Sequence, residues 1–292
     1  MFLALLTMAR PSLEEQIKWI NRVFKKYPRL ERTLSFYKDI LEVRMNIRSY
    51  LYDIEAMHLC NAVIKSLEEK ALMNKKPITY ILDIRIPSLN NILNAVNSII
   101  NILNKHEFNK ELENLSKILS EERNLYSIFI TASFRNESKT FIELSSKLGI
   151  NLKLLTFIFN TLIQSFLEEL ARKTSKEFLD NWLDIPCPIC GREPFIAKIR
   201  DKKKYLVCPL CGSEYRTSSL LCVNCGNRDP YTLGFLIDKN NSALKIDVCM
   251  KCRHYVKVID EDLLKEEIPG GLEDILTLEL DKIAELKGFK KY

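Results

Sequence analysis

Glycine is scarce, at 8 of 292 residues, and histidine scarcer, at three. No glycine-rich phosphate-binding loop occurs, which sets aside the common nucleotide-binding chemistries. No Ser-His-Asp constellation and no H-E-x-x-H helix is present, and three histidines leave general acid–base catalysis few actors. Low-complexity tracts are absent, so a disordered chain is excluded at the level of composition. Long hydrophobic runs are missing too. The stretch "LKLLTFIFNTLIQSFL" (152–167) carries Asn160 and Gln164 and falls short of the ~20 apolar residues that span a bilayer, so it reads as a buried helix. The opening "MFLALLTMA" is apolar, but no basic residue precedes it and Arg10-Pro11 stops it. It reads as a packed or frayed terminus rather than a signal or an anchor. A cytoplasmic protein without a membrane span, and not an enzyme, is the expectation.

Charge of one sign is also lacking. The formal net charge is +6, but residues 181–292 carry 18 Lys/Arg against 17 Asp/Glu. A divalent ion held by four thiolates contributes −2, so two such sites would turn this part of the chain to about −3. That is a poor nucleic-acid surface. The one basic cluster beside an aromatic residue, Lys202, Lys203 and Lys204 with Tyr205, reads as a solvated turn.

What the chain does have is helical periodicity followed by an abrupt change of texture. Ser12-Leu13-Glu14-Glu15 has the spacing of a capping box just after Pro11, which predicts a helix start near residue 12. Apolar residues then recur at three- and four-residue intervals: Ile17, Ile20, Val23 and Phe24, then Leu34, Tyr37, Ile40 and Leu41. After the break at Tyr27-Pro28 a second helix is predicted from about Pro28 to about Met73. "NKKPITYILDIRIP" (74–87), with two prolines, reads as a loop with an extended piece. Helical patterns resume over 88–104, 109–122, 137–149 and 151–173. After Trp182 the pattern gives way to short β-rich runs, "PFIAKI", "KYLVC", "EYRTSSLLC", "YTLGFLI" and "ALKIDVC", separated by turns such as "RDKKK". Helix returns after Gly270-Gly271, with Leu276, Leu280 and Ile283 on one face. The expected fold class is α+β: an all-α domain over 1–182, small β modules over 183–216 and 217–260, and a C-terminal helix over 261–292 that folds back on the body.

Eight of the nine cysteines lie between 187 and 252, in four Cys-x-x-Cys pairs; Cys60 stands alone. Two cysteines at this spacing share one tight turn, so both sulfurs reach one ion at ~2.3 Å. The residue after the second cysteine favours a positive φ, which glycine adopts at little cost. Gly191, Gly212 and Gly226 fill that position; Arg253 takes it in the fourth turn and should carry some strain or change the turn. Each hairpin brings its own two turns together, which favours sequential sites, Cys187, Cys190, Cys208 and Cys211, then Cys222, Cys225, Cys249 and Cys252. Interleaved pairing is the alternative. Two ions per chain, zinc or iron, are expected, and a closed four-thiolate shell leaves no position for substrate, which points to structural staples. A redox-active iron site is the sharper alternative. His254 reads as structural or exposed rather than as a spare ligand, and His58 with Cys60 as core or surface rather than a catalytic pair.

The order of these elements resembles the formate dehydrogenase accessory protein family, FdhE. The resemblance rests on "CPICGREP", "YLVCPLCGSEYRTSSLLCVNCG", "DVCMKCRHYVKVID" and "LELDKIAELKGF", covering 187–289, with Arg253 as a departure at the fourth turn. It implies a helical domain with two rubredoxin-like metal modules. It further implies an assembly role, binding the catalytic subunit of a molybdenum or tungsten formate dehydrogenase or a related molybdopterin oxidoreductase. The other readings of two ribbons are a nucleic-acid binder and a rubredoxin-type electron carrier. A client surface is expected where the helical body meets the metal modules, near Trp182, Phe195 and Tyr215.

Overall fold

The structure, a computed structural model, describes residues 10–50, 59–107, 112, 114–122, 124–182, 184–238, 241–264 and 268–291. The opening apolar nonapeptide, His58 and part of the 109–122 pattern lie outside these. Helix α1 (Leu13–Lys26) begins at the expected capping box: Ser12 Oγ accepts from Glu15 N at 3.2 Å and Glu15 Oε2 from Ser12 N at 2.9 Å. Its apolar stripe, Leu13, Ile20 and Val23, packs on Leu34 and Leu41 of α2 (Glu31–Tyr50) and on Leu272 from the tail.

The predicted helix from 28 to 73 is not continuous. A 3₁₀ turn, Pro28–Leu30, precedes α2, and α3 (Asn61–Asn74) starts afresh after Cys60, whose extended backbone (ψ 161°) stops any helix from running through. The segment read as a loop holds a one-turn helix, α4 (Ile78–Ile81), with Pro77 before it. Proline suits that place because it lacks the N–H that a helix start leaves unpaired. Next come α5 (Leu89–Lys105), α6 (Leu115–Glu121), α7 (Leu125–Phe134), α8 (Ser138–Leu148), α9 (Leu152–Lys173) and α10 (Lys176–Asn181). Helix α9 is long and apolar enough to cross a bilayer, yet 67% of its apolar window is buried inside the fold. It is the core helix, packed against α2, α5, α7 and α8.

Six strands follow: β1 (Ile196–Arg200), β2 (Lys203–Val207), β3 (Glu214–Thr217), β4 (Leu233–Ile237), β5 (Leu244–Cys249) and β6 (Tyr255–Asp260). They form one sheet in the order β3-β2-β1-β6-β5-β4, so the two cysteine-bearing hairpins are halves of a single structure. The join is the parallel pairing of β1 with β6, Ile196 opposite Lys257 and Ala197 opposite Val258. Strand β6 lay outside the expected β runs. Lys257 and Asp260 interrupt its apolar pattern, but both are buried and paired: Lys257 Nζ with Asp281 at 2.9 Å and with Asp274, Asp260 with Lys245 at 2.7 Å.

Alternation along the strands gives the sheet two unlike faces. Ala197, Leu206, Tyr215, Val256 and Val258 join the core of the helical body. Ile246, Val248 and Tyr255 point the other way and are covered by Leu280 and Ala284 of α12 (Leu278–Leu286) and by Phe289 just beyond it. A short α11 (Glu273–Leu276) carries Glu273 to buried Lys198 at 3.0 Å. Within the helical body, Glu168 of α9 ties the chain before α1 to α2. Its two oxygens take Arg10 (2.9 Å) and Arg44, all three residues buried.

Removing one member of a buried ion cluster leaves the others charged and unpaired, which costs about 3–5 kcal/mol. Glu168→Ala should therefore lower the chemical-denaturation midpoint by that stability without loss of bound metal. A change below ~1 kcal/mol would show that the two guanidiniums are not held by this carboxylate.

Candidate metal centres

All four Cys-x-x-Cys turns share one backbone design. The N–H of the first cysteine donates to the carbonyl five residues on, and the N–H four residues on donates back to the cysteine carbonyl. Cys187 with Arg192 and Gly191 does so at 2.9 and 2.9 Å, Cys208 with Ser213 and Gly212 at 2.9 and 3.1 Å. Cys222 with Asn227 and Gly226 follows at 2.8 and 2.9 Å, Cys249 with His254 and Arg253 at 3.0 and 2.8 Å. The design needs a left-handed residue, and φ is 73°, 69° and 71° at Gly191, Gly212 and Gly226. Arg253 adopts the same turn at φ 62°. A non-glycine residue there costs roughly 1–2 kcal/mol. Its side chain offsets this by lying 4.3 Å from the Phe289 ring centroid and donating to Lys287 O at 2.9 Å.

The turns bring the eight cysteines into two groups of four, Cys187, Cys190, Cys208 and Cys211, and Cys222, Cys225, Cys249 and Cys252. Sulfurs within a group all lie within 4.8 Å of one another. Among them, Cys187 and Cys211 are 3.5 Å apart, Cys190 and Cys208 3.4 Å, Cys222 and Cys252 3.5 Å, and Cys225 and Cys249 3.8 Å. A tetrahedron with ~2.3 Å metal–sulfur bonds has edges of about 3.8 Å, so the spacing fits one ion per group. It is far from the ~2.05 Å of a disulfide, and all the cysteines are free.

Electrostatics agree with this fit. Burial pushes the Cys187 and Cys211 thiols well above the usual range. Burial also opposes ionisation of Cys190, but hydrogen bonds from its neighbouring thiols and the Arg192 charge hold it well below that range. In the second group burial lifts Cys222 to about 12, whereas backbone N–H groups of Cys252 and Lys251 overcome burial and bring Cys249 down to about 7. Four thiolates cannot share such a pocket without a cation. An entering divalent ion would displace protons, so its hold weakens on acidification. Four soft sulfurs suit zinc or iron.

The first group is set inside the helical body. The free N–H groups at the start of α4 donate to the carbonyls between Cys187 and Cys190, Ile78 to Pro188 and Thr79 to Ile189, both at 2.9 Å. Arg10 donates to Pro209 O and Leu210 O at 3.1 and 3.2 Å, and Gln164 to Leu210 O at 3.1 Å. Buried Arg192 reaches Ser133 O at 2.8 Å and Asn160 Oδ1 at 2.6 Å. Ser213 Oγ lies 3.3 and 3.2 Å from the Cys187 and Cys211 sulfurs. Arg10, Arg192 and Ser213 were not among the expected site residues. Only the places of Arg192 and Ser213, two residues past a cysteine, hinted at them. At the expected junction Trp182 and Tyr215 are both buried, with Trp182 Nε1 donating to Pro186 O at 2.8 Å and Tyr215 Oη to Ile185 O at 2.6 Å, and an open pocket of about 380 Å³ lies beside Trp182, lined also by Leu72, Lys75, Asn181 and Asp184.

Outside the two groups, His254 lies between two turns, its Nδ1 2.9 Å from Cys252 O and 3.0 Å from Asn224 Nδ2. Cys60 is exposed at the start of α3 and belongs to neither group.

No family model matches the chain. It is 27% identical over 273 residues to a protein FdhE homologue of Aquifex aeolicus, covering 91% of this chain and 88% of that protein. A Shewanella oneidensis FdhE homologue is 32% identical over 109 residues, 35% of each chain. The fold is that of the FdhE protein from Pseudomonas aeruginosa in its crystal structure, with a TM-score of 0.60 and 14% identity over 96% of this chain and 93% of that one. The resemblance to FdhE proteins thus extends across the helical part as well as the cysteine turns.

Metal analysis should return two ions per chain, falling to one in Cys208→Ser and one in Cys222→Ser. Because a structural zinc site can supply ~10–16 kcal/mol, each loss should be felt locally. Cys208→Ser should lower the melting of the helical body, and Cys222→Ser should leave it nearly unchanged. An unchanged melting of the helical body in Cys208→Ser would mean that it does not depend on the first centre.

Proposed function

We propose that this FdhE-like protein is an accessory factor for a molybdenum or tungsten formate dehydrogenase or a related molybdopterin oxidoreductase. In this reading it binds the catalytic subunit in the cytoplasm during maturation or activation and is not itself the dehydrogenase. The observation that carries it is sequence similarity to an FdhE homologue over 91% of the chain, on an FdhE-like fold that holds two four-cysteine groups. Cys187, Cys190, Cys208 and Cys211 hold one ion, zinc or iron, and Cys222, Cys225, Cys249 and Cys252 the other.

A factor that holds a client needs accessible apolar surface. The sheet face that the helical body covers over β1, β2 and β6 continues bare over β4, where Phe235 (64% exposed) and Ile237 point outward, with exposed Leu220 lining the same groove as Phe235. Clustered exposed apolar residues of this kind mark interaction sites. By contrast, most of the basic residues around the ribbons are engaged within the fold: Lys204 by Asp247, Arg200 by Glu261 at 2.6 Å, Lys198 by Glu214 at 2.8 Å. That disfavours the nucleic-acid reading, which needs free cations.

Deleting the gene should abolish formate dehydrogenase activity while the catalytic subunit is still made. The purified protein should capture that subunit, Phe235→Asp should weaken capture at least ~10-fold (about 1.4 kcal/mol) with both ions retained, and Lys202→Glu should not. RNA binding with a steep salt dependence, and no capture of any such subunit, would refute the proposal.

A further inference from the structure

The two four-cysteine groups share a backbone design but not an environment. All four cysteines of the first have 0% exposure; in the second, Cys225 is exposed and Cys252 half-buried. Gly191 packs on Tyr80 and Pro77, and Gly212 on Arg10, close enough that an added Cβ would meet them at 2.5–3.2 Å, whereas Gly226 has nothing within 4 Å. The carbonyls of the first centre's turns are hydrogen-bonded from α4, Arg10 and Gln164. The third turn, Cys222–Cys225, stands at the surface, where an open groove of about 120 Å³ is walled by Cys222, Cys249, Val223, Leu220 and Phe235. A small molecule therefore reaches the second set of sulfurs without any opening of the fold. To reach the first it must separate helices from sheet.

We propose that the second centre is the protein's exchangeable, peroxide-responsive metal site, and that the first is a permanent staple. This rests on the reading that both groups bind metal. The step begins at Cys225. Its thiolate attacks one oxygen of hydrogen peroxide, the O–O bond breaks, and a sulfenic acid forms as hydroxide leaves. Cys249, whose sulfur is 3.8 Å away, then displaces the second hydroxide to close a disulfide. Two thiolates have given two electrons, the peroxide has become two waters after taking up two protons, and the ion leaves for lack of ligands. Thiol reductant and free metal reverse the change. Thiolate attack of this kind follows exposure, and the first centre has none.

The test uses the full chain loaded with two ions, treated separately with a chelator and with equimolar hydrogen peroxide. Ion release is followed in time, and alkylation and disulfides are mapped by mass spectrometry. One ion should leave at least ~10-fold faster than the other, since local opening is easier at the surface. Early alkylation should fall on Cys222, Cys225, Cys249 and Cys252. Peroxide should release a single ion and link Cys225 to Cys249, and Cys225→Ser should abolish that link while the first centre keeps its ion. Simultaneous release of both ions, or early modification of Cys187 or Cys211, would overturn the assignment. A protein that binds no metal at all would instead refute the reading beneath it.

Discussion

The peptide carbonyls of the turn between Cys187 and Cys190 accept hydrogen bonds from the first N–H groups of α4, and much else depends on that arrangement. A helix start leaves its N–H groups without partners, and a metal-binding turn exposes carbonyls on its outer side. Here Ile78 and Thr79 meet Pro188 and Ile189, so each element satisfies the other. Arg10 and Gln164 do the same for the turn between Cys208 and Cys211, and Arg10 carries the strain of burial only because Glu168 is beside it. The first centre is thereby the place where α4, α9 and the sheet are fastened together. A single apolar core runs from Phe159 and Phe166 through the four cysteines to Tyr215 and Val258.

The second centre sits on the same sheet but beyond the reach of the helices. Its strands are anchored from the opposite face, through Tyr255, Lys257 and α12, while its turns stay open to solvent. The fold thus gives the two groups unlike settings. A buried set of sulfurs lies in the common core, and an accessible set adjoins the bare apolar strand β4, the surface proposed to receive a partner protein.

How far the residues foretold this differs from element to element. The capping box at Ser12, the buried character of 152–167 and the two hairpins around the cysteines could be read directly, because each is a local pattern with a local cause. The single sheet could not. It depends on the parallel pairing of β1 with β6, partners about sixty residues apart, and β6 hides behind Lys257 and Asp260, which look like surface residues until their ion pairs are seen. Helix α4 was hidden by two prolines, and only its carbonyl partners explain why one turn of helix forms there. The aromatic residues at the junction are a mixed case: Tyr215 is taken up in the core, whereas Trp182 is buried yet lines an open pocket with Leu72 and Lys75. Arg253 is the converse case, where the strain was legible and the compensating contacts with Phe289 and Lys287 were not.

Hydrogen exchange on the metal-loaded and metal-stripped full chain tests the fastening role of the first centre most directly. If that centre joins the helices to the sheet, stripping both ions should remove protection from the amides of Ile78 and Thr79 along with those of β1 and β2. Full protection at Ile78 and Thr79 in the stripped protein, with the sheet alone exchanging, would contradict it.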